Sequence, residues 1–275
     1  MGFDLVGFEE ATPGTGTPNL AVALGENLYT VVNTDWILVK HPYLLMVQYA
    51  AVSTPGQAIV DMPELKPWYS FIKAADLNDV DPQQGLSSFA GRPLPLWDIL
   101  GGKGFKAGAQ LRCMTRNGTD EENLIGLWMG DGRITQAMLD SVNPTHTLRG
   151  YSDTDQVALT WTTLSMVWDN VLPEGEYAVV GMRCAAYKSS GPEHGLARLI
   201  FQTAPSAGFR PGVPMALMEA DSIEYMSTND WPTFPWKWPL LNVNRFLHTQ
   251  IPNVEVLSGI ANTDHLVELE LEKVA

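Results

Sequence analysis

The sequence predicts an all-β protein of two sandwich- or barrel-like domains of similar size, with helices as minor decoration. Three observations carry this expectation. Gly (24) and Pro (19) are frequent and evenly scattered, and between them lie short runs of Val, Leu, Ile, Thr, Tyr and Trp, the pattern of many strands joined by tight turns. That pattern lapses over residues 131–151 and then restarts. A length of 275 residues, 45% of them apolar, suffices for two ordinary domains that each fill a core. The expected division is residues 1–145 and 146–275.

Taken in order, Leu20, Val22 and Leu24 alternate with alanines and stop at Gly25-Glu26-Asn27, and residues 28–32 resume an extended run, so a hairpin is expected there. Residues 43–52 are continuously apolar apart from Gln48, which suits a strand covered on both faces. Trp68, Phe71, Ile72 and Ala75 fall at helical spacing and predict a helix over 68–77. Residues 107–116 and 124–129 flank the turn-forming Asn117-Gly118-Thr119-Asp120 and predict a second hairpin. Residues 134–142 predict one short helix, ended by Asn143-Pro144. After Gly150, residues 157–168 predict a strand, Leu172-Pro173-Glu174-Gly175 a turn, and residues 177–186 a strong strand. Ser189-Ser190-Gly191-Pro192 turns the chain back into residues 196–201. Near the end Val267, Leu269 and Leu271 alternate with Glu268 and Glu270, as in a sheet with one wet face. Superimposing Arg112-Cys113 on Arg183-Cys184 also brings Trp97-Asp98 onto Trp168-Asp169, but few other positions agree, and coincidence is the expectation.

Charge narrows the function. Lys and Arg total 17 against 31 acids, for a formal charge of −14, and the basic residues are spread singly. Such a surface repels a phosphate backbone, so no direct nucleic-acid binding is expected. The longest apolar stretch is about half of what crosses a bilayer. No transmembrane segment and no secretory signal are expected, which points to folding in a cytosol. Cys113 and Cys184 each sit in an apolar run, and two cysteines make no disulfide framework, so buried free thiols are expected. Without a secretion signal, the glycosylation pattern at Asn117-Gly118-Thr119 reads as accidental.

Catalytic patterns are missing. There is no Gly-x-Ser-x-Gly elbow, and Thr34, Ser53 and Ser165 stand in no supporting context. His41, His146, His194, His248 and His265 have no metal-ligand spacing. Gly101-Gly102-Lys103-Gly104 lacks the rest of a phosphate loop. The acid pairs Glu121-Glu122, Glu174 with Glu176, and Asp153 with Asp155 fall in expected turns and read as solvated rather than as a glycosidase pair. Asp153, Asp155 and Asp131 could offer oxygens to calcium, but the remaining spacing of a calcium loop is missing. The expectation is therefore a non-enzyme with no catalytic residues, no cofactor and no metal. Arg198 and Arg210 lie among apolar residues, where a guanidinium needs a carboxylate, and read as structural ion pairs. Nine tryptophans are an excess; Trp36, Trp128, Trp161 and Trp168 lie in strand runs and are expected in cores. The alternative, with rings stacked on sugars, is a carbohydrate-binding β-sandwich module.

Specific segments carry a likeness. Residues 172–182 (LPEGEYAVVGM), 197–201 (ARLIF) and 209–214 (FRPGVP) resemble second-domain strands of the double jelly-roll major capsid proteins of small tailless icosahedral viruses, phages among them. Residues 42–45 (PYLL), 56–59 (GQAI) and 127–132 (LWMGDG) are similar to first-domain segments in order and spacing. The resemblance implies two jelly-roll β-sandwiches in tandem, standing side by side, with three copies forming a pseudo-hexagonal capsomer. It also implies that the chain's partner is itself, as a homotrimer and then an icosahedral shell, with other capsid or vertex proteins as further partners. Its place would be the virion, after folding in the host cytoplasm. In residues 231–239 (WPTFPWKWP) four large aromatics alternate with three prolines, so no central strand is expected. Trp231, Phe234, Trp236 and Trp238 are the candidate subunit interface; the alternative is that the rings fold back and plug the end of the second domain.

Overall fold

The structure, a computed structural model, describes residues 2–10, 19–51, 56–62, 71–75, 94–95, 106, 108–117, 123–132, 134–188, 195–219, 236–259 and 261–275. Among them the chain is nearly all β, in a sandwich-like arrangement with one short helix. The first half contributes β1 (Phe3–Glu10), β2 (Asn19–Val22), β3 (Val31–Val32), β4 (Trp36–Leu38), β5 (Tyr43–Ala51), β6 (Gly56–Asp61), β7 (Phe71–Ala75), β8 (Leu94–Pro95), β9 (Gln110–Asn117) and β10 (Asn123–Gly130). Helix α1 (Gln136–Asp140) follows, with Thr135 Oγ1 accepting from Met138 N as its N-cap. The second half contributes β11 (His146–Ser152), β12 (Thr162–Thr163), β13 (Val167–Trp168), β14 (Glu176–Lys188), β15 (Gly195–Ile200), β16 (Gly212–Glu219), β17 (Trp236–Lys237), β18 (Arg245–Leu247), β19 (Asn253–Ser258) and β20 (Asp264–Lys273).

Each half builds its own ten-stranded sheet system, and the chain passes from one to the other through α1. Pairing is antiparallel except between β14 and β16. The two halves are wired alike. In the first, β1 pairs β10, β10 pairs β5 and β5 pairs β8, while β4 pairs β9, β9 pairs β6 and β6 pairs β7. In the second, β11 pairs β20, β20 pairs β14 and β14 pairs β17, while β12 pairs β19, β19 pairs β15 and β15 pairs β16. Two four-stranded layers thus recur in the same chain order. In the first half β2 links them by pairing both β1 and β9; in the second the parallel β14–β16 contact does so.

This wiring corrects several expectations. No hairpin forms between residues 20–24 and 28–32: β2 pairs β1 and β9, and β3 pairs β4. Nor do β9 and β10 pair, although a turn sequence separates them; they belong to different layers. Turn chemistry reverses the chain without deciding whether the next strand lies beside the last or across the sandwich from it. Residues 71–75 of the expected helix are strand β7, and the rest of that segment lies outside the described residues. Residues 157–168 hold two short strands, β12 and β13, after Leu159, which adopts a φ of 58°, rather than one strand. Residues 146–152, within the stretch where the strand pattern lapses, form β11.

The expected wet face of β20 is covered instead. β20 is flanked by β11 and β14, and Glu268 lies in register with Arg149 on one and Arg183 on the other. Glu268 accepts from Arg149 Nε at 2.8 Å and lies 3.2 Å from Arg183 Nη1, and Arg183 Nη2 donates to Glu270 at 2.8 Å. Those arginines shield the carboxylates from water. A similar arrangement holds Arg112, whose Nε donates to buried Asp61 at 2.9 Å and whose guanidinium lies 4.4 Å above the half-buried Trp36 ring. Arg112-Cys113 and Arg183-Cys184 thus share one local design, arginine outward beside an acid and cysteine inward. Their strands, β9 and β14, are not counterparts in the wiring, so the match is no repeat of domain order. Both thiols are free and buried, and burial pushes their ionisation up.

β1 and β10 are buried on both sides, which is why neither shows the polar alternation of a half-exposed strand. Val6, Phe8, Ile125, Leu127 and Met129 join the core of the first half. Phe3, Leu5, Leu124 and Trp128 point the other way, into the larger core built by the second half.

Candidate functional site at the junction of the halves

β1 places a run of backbone and side chains where the halves meet. Opposite β10, Leu5 turns both of its main-chain groups away from its partner strand and toward the second half. Its N–H donates to Arg210 O at 3.0 Å, and its carbonyl accepts from Arg198 Nη1 at 3.1 Å. An exposed strand edge is thereby closed by residues nearly two hundred positions on. Trp128 Nε1 adds a bond to Gly212 O at 2.9 Å, and Trp161 N donates to Leu24 O at 2.9 Å.

Arg198 is the centre of this junction and is wholly buried. Its Nη1 donates to Glu26 Oε2 at 2.7 Å, its Nε donates to Glu255 Oε2 at 2.8 Å, and its guanidinium lies 3.8 Å from the ring centroid of Trp161. Glu26 is equally enclosed. Its Oε1 accepts from the backbone N–H groups of Asn27 and Leu28, each at 3.1 Å, and Oε2 from Gly7 at 3.3 Å. The turn Gly25-Glu26-Asn27, made possible by Gly25 at φ 79°, folds this carboxylate inward instead of leaving it in solvent. Beside it, Asp4 accepts from Arg210 N at 3.1 Å and meets His41 Nε2 at 2.9 Å, and the Arg210 guanidinium reaches Asn27 Oδ1. Burial, and then the charges of Asp4 and Glu26, push the ionisation of the neighbouring Tyr29 hydroxyl upward.

Apolar packing reinforces these bonds. A Cβ on Gly126 would stand 2.9 Å from Leu196 and 3.1 Å from Leu5, and one on Gly212 would stand 2.3 Å from Leu5 and 2.6 Å from the Ala197 carbonyl. The halves approach that closely because these positions carry no side chain. Such a site ties the two halves of the chain together. No cluster of three or more His, Cys, Asp or Glu suited to a metal occurs among the described residues.

Trp231 and Phe234 lie outside the described residues. Trp236 is in register with Met182 at the start of β17. Trp238 is 3% exposed, edge-on to Phe3 with 5.9 Å between ring centroids, and donates from its backbone to Val180 O. Arg198 takes the carboxylate partners expected of it, whereas Arg210 takes the amide oxygen of Asn27. Trp128 and Trp161 are buried, while Trp36 and Trp168 are half-buried. Nothing in the sequence pattern marked Glu26, Asp4 or His41, since an acid in a Gly-Glu-Asn turn and a lone histidine read as solvated. No helix among the described residues is long and apolar enough to cross a membrane. No protein-family model matches the chain, and no curated protein matches it.

Proposed function

We propose that this chain is a structural protein, a two-domain building block of a symmetric shell, with residues 1–145 and 146–275 as its domains. Within that class it is a double jelly-roll major capsid protein of a small tailless icosahedral virus, working as trimeric capsomers. The observation that carries the reading is the repeated wiring. In each half, setting aside β2, β3, β13 and β18, the first strand pairs the eighth, the eighth the third and the third the sixth, while the second pairs the seventh, the seventh the fourth and the fourth the fifth. That is the strand order of a jelly roll, in which two four-stranded layers close over a core and leave their loops at the ends. The junction around Arg198 supports the second part. A shell tile must not hinge, and a buried charge network, two glycine contacts and a closed strand edge hold the halves in one orientation. Copies then meet through head-to-tail contacts that close into a ring.

A net charge of −14 makes copies repel, so assembly strengthens as salt rises from about 0.01 to 0.15 M and the Debye length falls from about 30 to 8 Å. Sedimentation velocity and negative-stain imaging across that series should give trimers and then closed particles. Chains that stay monomeric at every salt and concentration, and that bind on a glycan array, would overturn the proposal in favour of a carbohydrate-binding module. The contact is assigned to Trp231, Phe234 and Trp236; replacing all three by Ala should abolish trimers and leave thermal unfolding near normal. Trp238, packed on Phe3, is left out of that variant.

A further inference from the structure

At the start of β20 lies an enclosed polar cluster whose residues take no part in the bonds of the junction. His265, on β20, is wholly buried between Ser152 of β11 and Ala186 of β14, its neighbours in register. Its Nε2 lies 3.2 Å from Thr263 Oγ1. Thr263 is gripped by Gln156, which accepts from Thr263 N at 3.0 Å and donates from Nε2 to its hydroxyl. Ser152 Oγ, also buried, is 2.8 Å from Thr154 Oγ1. The second ring nitrogen, Nδ1, has no partner among the described residues.

A neutral imidazole fits this place, because one nitrogen suffices for the bond to Thr263. An imidazolium does not, because it donates from both nitrogens and, among the described residues, only Nε2 has an oxygen in reach. The titratable groups beside it are Tyr151 on β11, Asp153 and Asp155 in the loop after it and Asp264 on β20, each exposed or half-buried, with Tyr187 and Lys188 following Ala186 on β14; among the described residues none is bonded to the second ring nitrogen. Arg183 on β14 is engaged by Glu268 and Glu270. A charge on the ring would therefore be both buried and uncompensated.

We infer that His265 is an acid-release latch: when its ring gains a proton, the start of β20 and the loop of residues 153–156 part from β11, while the first half stays closed. Burial holds the ring well below the ordinary histidine value, at about 4. The sign follows from that. The folded form disfavours the proton, so stability from this group is complete above about pH 6.5 and is lost as pH falls toward 4. The opening equilibrium should rise about a hundredfold between pH 7 and pH 4.

Hydrogen exchange on the full chain, corrected for intrinsic rates across that range, tests it. Amides of residues 146–156 and 261–267 should lose about a hundredfold in protection, β1 and β10 should not change, and in His265→Gln the same amides should show no such pH dependence. Protection that stays flat in the wild type, or that falls equally in His265→Gln, overturns the latch. Should that variant fold poorly, the ring itself decides in the wild type by NMR. Titration near 4 together with loss of those amides supports the latch, and titration near 6.5 without it overturns it.

Discussion

Arg198→Met keeps most of the side chain's volume and removes its charge from the centre of the junction. Glu26, with none of its side chain exposed, then keeps its backbone donors but loses the cation. Removing one member of a buried ion pair costs about 3–5 kcal/mol, because the other charge stays out of water uncompensated. Loss of the stacked guanidinium over Trp161 adds about 1 kcal/mol. Glu255 contributes little, since with 14% of its side chain exposed it can turn to solvent. The thioether restores part of the packing, and a net loss of about 4 kcal/mol remains. Urea unfolding followed by tryptophan fluorescence should show it as a midpoint lower by about 1.5–2 M, for a slope near 2–3 kcal/mol/M. Adding Glu26→Gln to Arg198→Met removes the stranded charge and should recover about 2 kcal/mol. An Arg198→Met protein within about 1 kcal/mol of wild type, or a double variant less stable than the single one, would refute the clamp.

Gly126→Val brings a branched side chain against Leu5 and Leu196, and overpacking at this contact should cost about 1–3 kcal/mol in the same assay. Trp238→Ala empties a buried site beside Phe3 and should cost about 3–5 kcal/mol, unlike the triple aromatic variant in the proposed subunit contact. Cys113 and Cys184, enclosed and held as neutral thiols, should not react with a thiol reagent in the native protein at pH 8, and both should react in denaturant.

What could be read from the residues was local. Scattered Gly and Pro with short β-branched runs foretold an all-β chain. Partner choice was not legible. β9 and β10 read as a hairpin, but pairing is decided by which layer closes best over the core, a contest among distant segments. Residues 71–75 read as helix because a short apolar run fits either period, and pairing with β6 settles it as strand. The junction was half legible. Arg198 amid apolar residues demanded a carboxylate, but Glu26 sits in a turn that looks solvated, and only the arrival of β15 beside β1 buries it. Likewise Glu268 and Glu270 look like a wet face until the arginines of two neighbouring strands cover them.

The closure of Leu5's edge by Arg198 and Arg210 sets the order in which the protein can be made. On a ribosome β1 emerges well before β10, which it pairs only once residue 130 has been synthesised, and its edge at Leu5 waits for residues 198 and 210. At about 5–20 residues per second, that second wait lasts roughly 10–40 s. Throughout it, the Leu5 end of an apolar strand, beyond the reach of β2, carries open donors and acceptors that another nascent chain can pair with. This strand is thus sheltered long after it is translated, and crowded polysomes, more than the finished protein, are where its Leu5 edge is exposed to aggregation.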